Sequence, residues 1–295
     1  MKWRKLTGVY YALFAATLWG LSGTVASALF TIYRMPFLSL LLVRMLLSGL
    51  LLFMLFRPKV PRGNTLLLLL FSLSILFVQL TYLGAITYTN APTATMLQYL
   101  MFPLVVVFEL VAGRINSHPA LYVTMFLALV GIFELSTNFP LSSFGLAINP
   151  LGLALGLLSA LTAAIYTLLS RPMISRFGAT TSITWALLIG GVFAIPMSIG
   201  PSLTYFGHLT ATAFLPVFLL IVFVSMIGTL IPFTLYIRSM EVISATRASL
   251  AGTVEPLSAA VSSLLLLGIA LTPLQYAGGI MIICSVVLMQ LSGKA

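Results

Sequence analysis

Long apolar runs separated by short polar breaks organise the whole chain. A bilayer core needs about 20 predominantly apolar residues per helical crossing. With Pro, Gly, Asn and charge clusters taken as breaks, ten such runs emerge. They cover approximately 7–28, 36–56, 64–86, 91–112, 119–136, 150–170, 179–199, 213–236, 244–266 and 271–291. The fifth is the shortest, with Glu134 near its end. The pattern predicts an all-α integral membrane protein of ten transmembrane helices joined by short connections.

Composition agrees, with 61% hydrophobic and 6% charged residues in 295. A soluble fold of this length could not cover its surface with so few charges. Asp is absent, which argues against two-metal carboxylate sites. The net charge of +10 would suit a nucleic-acid binder, but the charges sit in the gaps between apolar runs. Counted loop by loop, they orient the chain. With the N-terminus cytoplasmic, twelve Lys and Arg fall inside, from Lys2, Arg4 and Lys5 to Arg238, Arg247 and Lys294. Arg34 alone falls outside, and Arg44 lies within the second run. Both termini are therefore expected in the cytoplasm, with the protein in the plasma membrane. The single Cys284 builds no disulfide framework, and His118 and His208 stand apart as loop residues rather than metal ligands. No metal and no cofactor is expected. Ala26-Ser27-Ala28 loosely imitates a signal cleavage site, but the preceding apolar stretch is too long for one.

The chain also resembles itself. Small residues recur at one spacing in Gly8, Ala12, Ala15, Ala16 and in Gly152, Gly156, Ser159, Ala160. The runs from Ala91 to Pro103 and from Ser244 to Pro256 both open with small polar residues and place a proline near mid-span. A five-plus-five duplication follows, with repeats at 1–140 and 147–292. Because five is odd, the two halves cross the membrane in opposite senses, an arrangement that places substrate near the midplane.

The residues that carry a family likeness run in order along the chain. They are G-x-x-x-A-L-x-A-A-x-x-W-G from Gly8 to Gly20, Arg44 within Leu42–Met45, and A-T-M-L-Q-Y-L-M-F-P from Ala94 to Pro103. T-V-E-P-L-S-A from Thr253 to Ala259 and L-T-P-L-Q-Y-A-G-G from Leu271 to Gly279 complete them. Together they resemble the EamA family of the drug/metabolite transporter superfamily. The resemblance implies two inverted repeats around a cavity lined by spans one, three, four, six, eight and nine, and transport of small metabolites such as amino acids. One departure is plain: the family's frequent Gly-Glu pairs ending spans four and nine read Gly113-Arg114 and Gly268-Ile269 here.

Ionisable residues inside a bilayer call for a partner or a purpose. At 1.5 Å per residue, Arg44 lies roughly 12 Å and Glu255 roughly 16 Å below the outer boundary, so the two share a layer. They either bind the two ends of a zwitterion or couple to protons through Glu255, or they are structural, as an ion pair or with Glu255 hydrogen-bonded to a neighbouring helix opened by Pro256. Glu109 and Glu134 lie near span ends and are expected to reach headgroup water, and Glu241 belongs to a loop. Trp19 at mid-depth, Gln79 and Tyr82 on one helix face, Gln98, Tyr99, Tyr166 and Tyr236 supply polar handles and aromatic walls. Tyr10, Tyr11, Trp3 and Trp185 suit interfacial belts. The expected activity is secondary transport of amino acids or related metabolites by alternating access, with export favoured, and an organic-cation exporter is the rival. No phosphate-binding loop is present, and nothing points to an enzyme. The expected partners are the small-molecule substrate, the lipid bilayer and protons, and no nucleic acid.

Overall fold

The computed structural model describes residues 2–114, 116, 118–136, 149–268 and 273–292. Every regular element among them is helical. In order these are α1 (Lys2–Thr31), α2 (Phe37–Phe56), α3 (Thr65–Tyr88), α4 (Ala91–Tyr99), α5 (Met101–Val111), α6 (Pro119–Ser136) and α7 (Pro150–Phe177). Then follow α8 (Ala179–Gly207), α9 (Ala211–Ser225), a π-helical segment (Met226–Leu230), α10 (Ile231–Ser239), α11 (Ala245–Gly252), α12 (Val254–Leu267) and α13 (Pro273–Ser292). Eight helical stretches among the described residues are long and apolar enough to cross a bilayer. Shorter apolar helices at Pro119–Gly131 and Tyr276–Ser285 occupy the fifth and tenth runs. The chain is a multi-pass membrane protein.

Local chemistry explains the boundaries. Asn64, Asn90, Asn149 and Ser244 cap α3, α4, α7 and α11, each side chain accepting a first-turn backbone N–H. Prolines break two crossings at matching places. Pro103 and Pro256 lack the N–H that would serve the carbonyls of Tyr99 and Gly252. The helices divide at Leu100 and Thr253, three residues before each proline, where N–H groups turn back to Leu97 and Leu250. Tyr99 and Glu255 thus flank the two breaks. Pro172, Pro196 and Pro201, by contrast, lie inside continuous helices, so α7 and α8 run past the ends expected at 170 and 199. Inside a membrane bundle, neighbouring groups can re-satisfy the carbonyls a proline frees.

The helices pack as α3 on α7, α2 on α8, α6 on α13, and α1 against α10, α11 and α12. One apolar core runs through α1, α2, α3, α7, α8 and α10, and a smaller one joins α5, α6 and α11 through Phe102, Val106, Leu121, Ala128 and Leu250. The α1–α12 contact brings the two backbones close together. A Cβ on Gly20 would sit 2.5 Å from the Glu255 carbonyl oxygen and 2.6 Å from the Ala259 nitrogen. That closeness lets Thr24 Oγ1 reach Ser262 Oγ at 2.7 Å and Ser263 Oγ at 3.1 Å. Small residues here do what hydrophobic burial does in water, bringing backbones within van der Waals and hydrogen-bonding range.

Two expected placements are corrected, those of Glu109 and Glu134. Glu109 does not reach headgroup water: it is 1% exposed and accepts a hydrogen bond from Thr246 Oγ1. The end of α5 packs on the start of α11, which covers it. Arg247 lies in the first turn of α11, inside the ninth run, because Ser244 starts the helix before it. Its side chain is buried and its Nε has no partner. Glu134 is half-buried with Oε2 unpartnered, rather than solvated. Glu241 is exposed in the turn after α10, as expected. His118 Nδ1 accepts the Leu121 N–H at 3.2 Å, a capping role at the start of α6. Tyr10 and Tyr11 are exposed on α1, and Trp185 Nε1 donates to the Lys59 carbonyl at 3.0 Å.

Candidate functional site

A small cavity lies where the two proline breaks meet α1, α2, α3, α7 and α10. All nine candidate residues line it: Trp19, Arg44, Gln79, Tyr82, Gln98, Tyr99, Tyr166, Tyr236 and Glu255. They come from seven helices, so no stretch of sequence holds the site. Ser22, Val78, Met101, Ala163, Thr167 and Phe233 complete the wall. Of these, Ser22 carried a readable signal, being polar and three residues from Trp19 on the same helix face. The apolar members carried none, because nothing separates a cavity-lining Val from a core Val in sequence.

Glu255 and Arg44 share the cavity without touching. Among the described residues no carboxylate lies within 4.0 Å of the guanidinium, so the structural ion pair is not formed. Tyr99 instead donates its hydroxyl to Glu255 Oε2 at 2.8 Å, and Tyr82 and Arg44 face the carboxylate at longer range. Arg44 Nε donates to Thr229 Oγ1 at 2.9 Å, and its Nη2 reaches the Gly228 carbonyl at 3.4 Å. Both charges are therefore held by neutral groups and keep valence free for a third party. Charges buried without a counter-ion are costly, and such residues in membranes mark substrate or ion paths.

The remaining polar groups divide into satisfied and unsatisfied. Gln98 Nε2 donates to Ser159 Oγ at 2.8 Å, and Tyr82 and Thr95 hydroxyls pair at 2.9 Å. Trp19 Nε1, Gln79 Nε2, Thr167 Oγ1 and the hydroxyls of Tyr166 and Tyr236 make no hydrogen bond of ordinary geometry. Thr167 faces the Tyr236 hydroxyl and Ser170 faces that of Tyr166. Buried polar atoms are normally paired, so several orphans around one space imply a partner that fills it. Trp19 and Gln79 present N–H groups, which ask for acceptors. On one side the cavity is aromatic. Trp19 meets Phe233 and Tyr236, each with ring centres 5.0 Å apart, and Tyr166 lies 5.8 Å from Phe233 and 6.3 Å from Tyr236. Edge-to-face and tilted stacking fixes these rings as a rigid apolar wall.

Residues 6–137 and 150–291 match the profile of the EamA-like transporter family. The chain belongs to that family. A relative described as the uncharacterized inner membrane transporter YicL of Salmonella typhimurium (strain LT2) is 34% identical over 296 residues, spanning 97% of this chain and 96% of the relative. A crystal structure described only as that of a protein aligns with a TM-score of 0.76 at 15% identity, covering 98% of each chain, and shows the same fold. This EamA-like chain is thus a membrane transporter. Its cavity draws on the spans the family resemblance implied, and α2 joins them through Arg44.

Proposed function

We propose that this transporter carries small zwitterionic metabolites of the amino-acid type across the plasma membrane by alternating access, outward in preference to inward. The observation that carries the reading is one buried cavity holding an unpaired cation and an unpaired anion beside an aromatic wall. Arg44 offers N–H groups to a carboxylate, Glu255 offers an oxygen to an ammonium, and Trp19, Phe233, Tyr166 and Tyr236 receive an apolar side chain. Gln79 and Trp19 supply further donors for the carboxylate end. Glu255 is also the carboxylate placed to exchange a proton with the cargo site.

The machinery is read as ten crossings in two inverted five-helix halves, with both termini cytoplasmic. Two features support the duplication. The family profile matches two stretches of similar length. Helix contacts also map onto one another when the halves are exchanged: α3 on α7 corresponds to α1 on α9 and α10, and α1 on α11 and α12 corresponds to α7 on α4 and α5. The α2–α8 and α6–α13 contacts map onto themselves. That is the pattern of a pseudo-twofold axis.

An organic-cation exporter is the second reading, favoured by the aromatic wall beside Glu255, which suits cation–π attraction. Counterflow in proteoliposomes separates the two, using labelled pools of amino acids and of organic cations. Saturable amino-acid exchange, lost in Glu255→Gln, is the expected result. Exchange of cations alone transfers the site to the second reading.

A further inference from the structure

Away from the cargo cavity, at the end of the bundle opposite the N-terminus, a crevice opens where α1 and α8 end and α2 and α9 begin. In a multi-pass protein such helix ends stand at the level of the lipid headgroups. Arg34 and His208 both line the crevice, and both are exposed. Backbone anchors hold them there. The Tyr205 hydroxyl donates to the Tyr33 carbonyl at 3.1 Å, tying the last turn of α8 to the α1–α2 connection. The Met35 N–H bonds the Leu29 carbonyl at 3.0 Å. Arg34 stands between these two fixed residues with a left-handed backbone, φ 54°. His208 follows Tyr205 by one helical turn. Among the described residues, neither the Arg34 guanidinium nor the His208 ring has a hydrogen-bond or ion-pair partner.

Charge decides what fits this crevice. The chain's carboxylate side chains are Glu109, Glu134, Glu241 and Glu255, and none of them lines it. Glu255 belongs to the cargo cavity, Glu109 is covered by α11, and Glu241 follows α10. Glu134 sits on α6, which packs on α13, α4 and α12. Arg34 also runs against the charge bias that orients the chain, so it calls for another role. A guanidinium grips a phosphate in two-pronged fashion, and His208 adds a ring N–H. The first turn of α9, which no side chain caps, adds partial positive charge at Thr210. Continuity with the lipid-facing surface selects the source of the phosphate. Thr210 lines the crevice, and along the same face of α9 come Phe214 and Phe218, 57% and 51% exposed. Their rings stack with centres 6.2 Å apart. A free phosphate leaves that stripe uncovered, whereas a phospholipid lays a chain on it. We propose that the crevice binds a phospholipid, with its phosphate on Arg34 and His208 and an acyl chain along Phe214 and Phe218. Headgroups without an ammonium are preferred, because no carboxylate is there to receive one.

The test uses the full chain purified in detergent, with thermal unfolding read against dioleoyl phosphatidylglycerol, dioleoyl phosphatidylcholine and inorganic phosphate. Phosphatidylglycerol is expected to raise the unfolding temperature saturably, phosphatidylcholine to do so more weakly, and inorganic phosphate to leave it unchanged. Arg34→Gln and His208→Gln should each raise the half-saturating phosphatidylglycerol concentration by about threefold to tenfold, the effect of losing one donor to a charged group. Phe214→Ala should weaken the response as well. Lys59→Gln, which removes an exposed cation elsewhere, is the control and should change nothing. In wild-type protein, phosphatidylglycerol carrying a photoreactive group beside its phosphate should label peptides covering 32–36 and 201–213. That measurement locates the lipid even if a variant fails to fold. Equal half-saturation in Arg34→Gln, His208→Gln and Lys59→Gln, or labelling confined to other peptides, overturns the site. Saturation by inorganic phosphate that depends on Arg34 and not on Phe214 makes the occupant a soluble anion and overturns the lipid. An equal response to phosphatidylcholine overturns the headgroup preference.

Discussion

Replacing Gly20 by Ala adds one methyl group where the backbones of α1 and α12 meet closely, and its cost can be worked from the geometry. The new Cβ would lie 2.5 Å from the Glu255 carbonyl oxygen, 2.6 Å from the Ala259 nitrogen and 2.7 Å from the Ser258 Cβ. Ordinary carbon contacts sit at about 3.5–4.0 Å, so α1 and α12 must part by about 1 Å. Backbone atoms cannot rotate away as a flexible side chain could. Overpacking of this kind costs about 1–3 kcal/mol. The same displacement stretches Thr24 to Ser262 and Ser263, and the 2.6 Å bond from Ser258 Oγ to the Thr17 carbonyl, beyond useful range. At about 0.6 kcal/mol per interhelical bond in a membrane, those three add about 2 kcal/mol. Better helix propensity returns up to about 1 kcal/mol. A net loss of about 2–4 kcal/mol is expected, read as a fall on the order of 5–10 °C in thermal unfolding of the purified protein. Counterflow should fall as well, because Trp19 and Glu255 lie beside the contact. Gly200→Ala is the matched control, since nothing lies within 4 Å of its Cβ position. It should stabilise by about 0.5–1 kcal/mol. A Gly20→Ala protein that unfolds with wild type would refute the close-contact argument.

Thr246→Val strips Glu109 of its one side-chain donor while keeping the shape of the residue, and should destabilise by about 1–3 kcal/mol, the cost of an unsatisfied buried group. Glu109→Gln keeps an acceptor for Thr246 and should unfold close to wild type, so equal losses in the two variants would show that Glu109 is not held through Thr246. Orientation is checked in a Cys284→Ser background with single cysteines at Lys59 and His208, both exposed. In intact cells an impermeant thiol reagent should label His208→Cys and leave Lys59→Cys untouched, and the reverse would place both termini outside. Glu255→Gln should abolish amino-acid counterflow in protein that still purifies as a folded species, and unaltered exchange would remove Glu255 from the cargo site.

Much of the architecture is legible in the chain because its causes are local. An apolar run long enough for a bilayer is helical wherever it stands, since lipid leaves backbone N–H and C=O groups no other partner. A proline removes the same N–H wherever it stands, so Pro103 and Pro256 announced the breaks beside Tyr99 and Glu255. Trp19, Arg44 and Glu255 drew notice because their depth is costly without a reason. Which groups meet across helices is another matter. Sequence placed Arg44 and Glu255 in one layer, yet whether they touch depends on helix rotation and on rival partners, and Thr229 and Tyr99 hold them apart. Likewise Pro172, Pro196 and Pro201 read like Pro103, but α7 and α8 run through them unbroken. Glu109 stood near a helix end and read as solvated until α11 packed over it. Hydropathy and proline positions act along the chain and are written in it. The pairing of buried charges and the enclosure of the cavity depend on how helices far apart in sequence pack, and only the tertiary structure decides them.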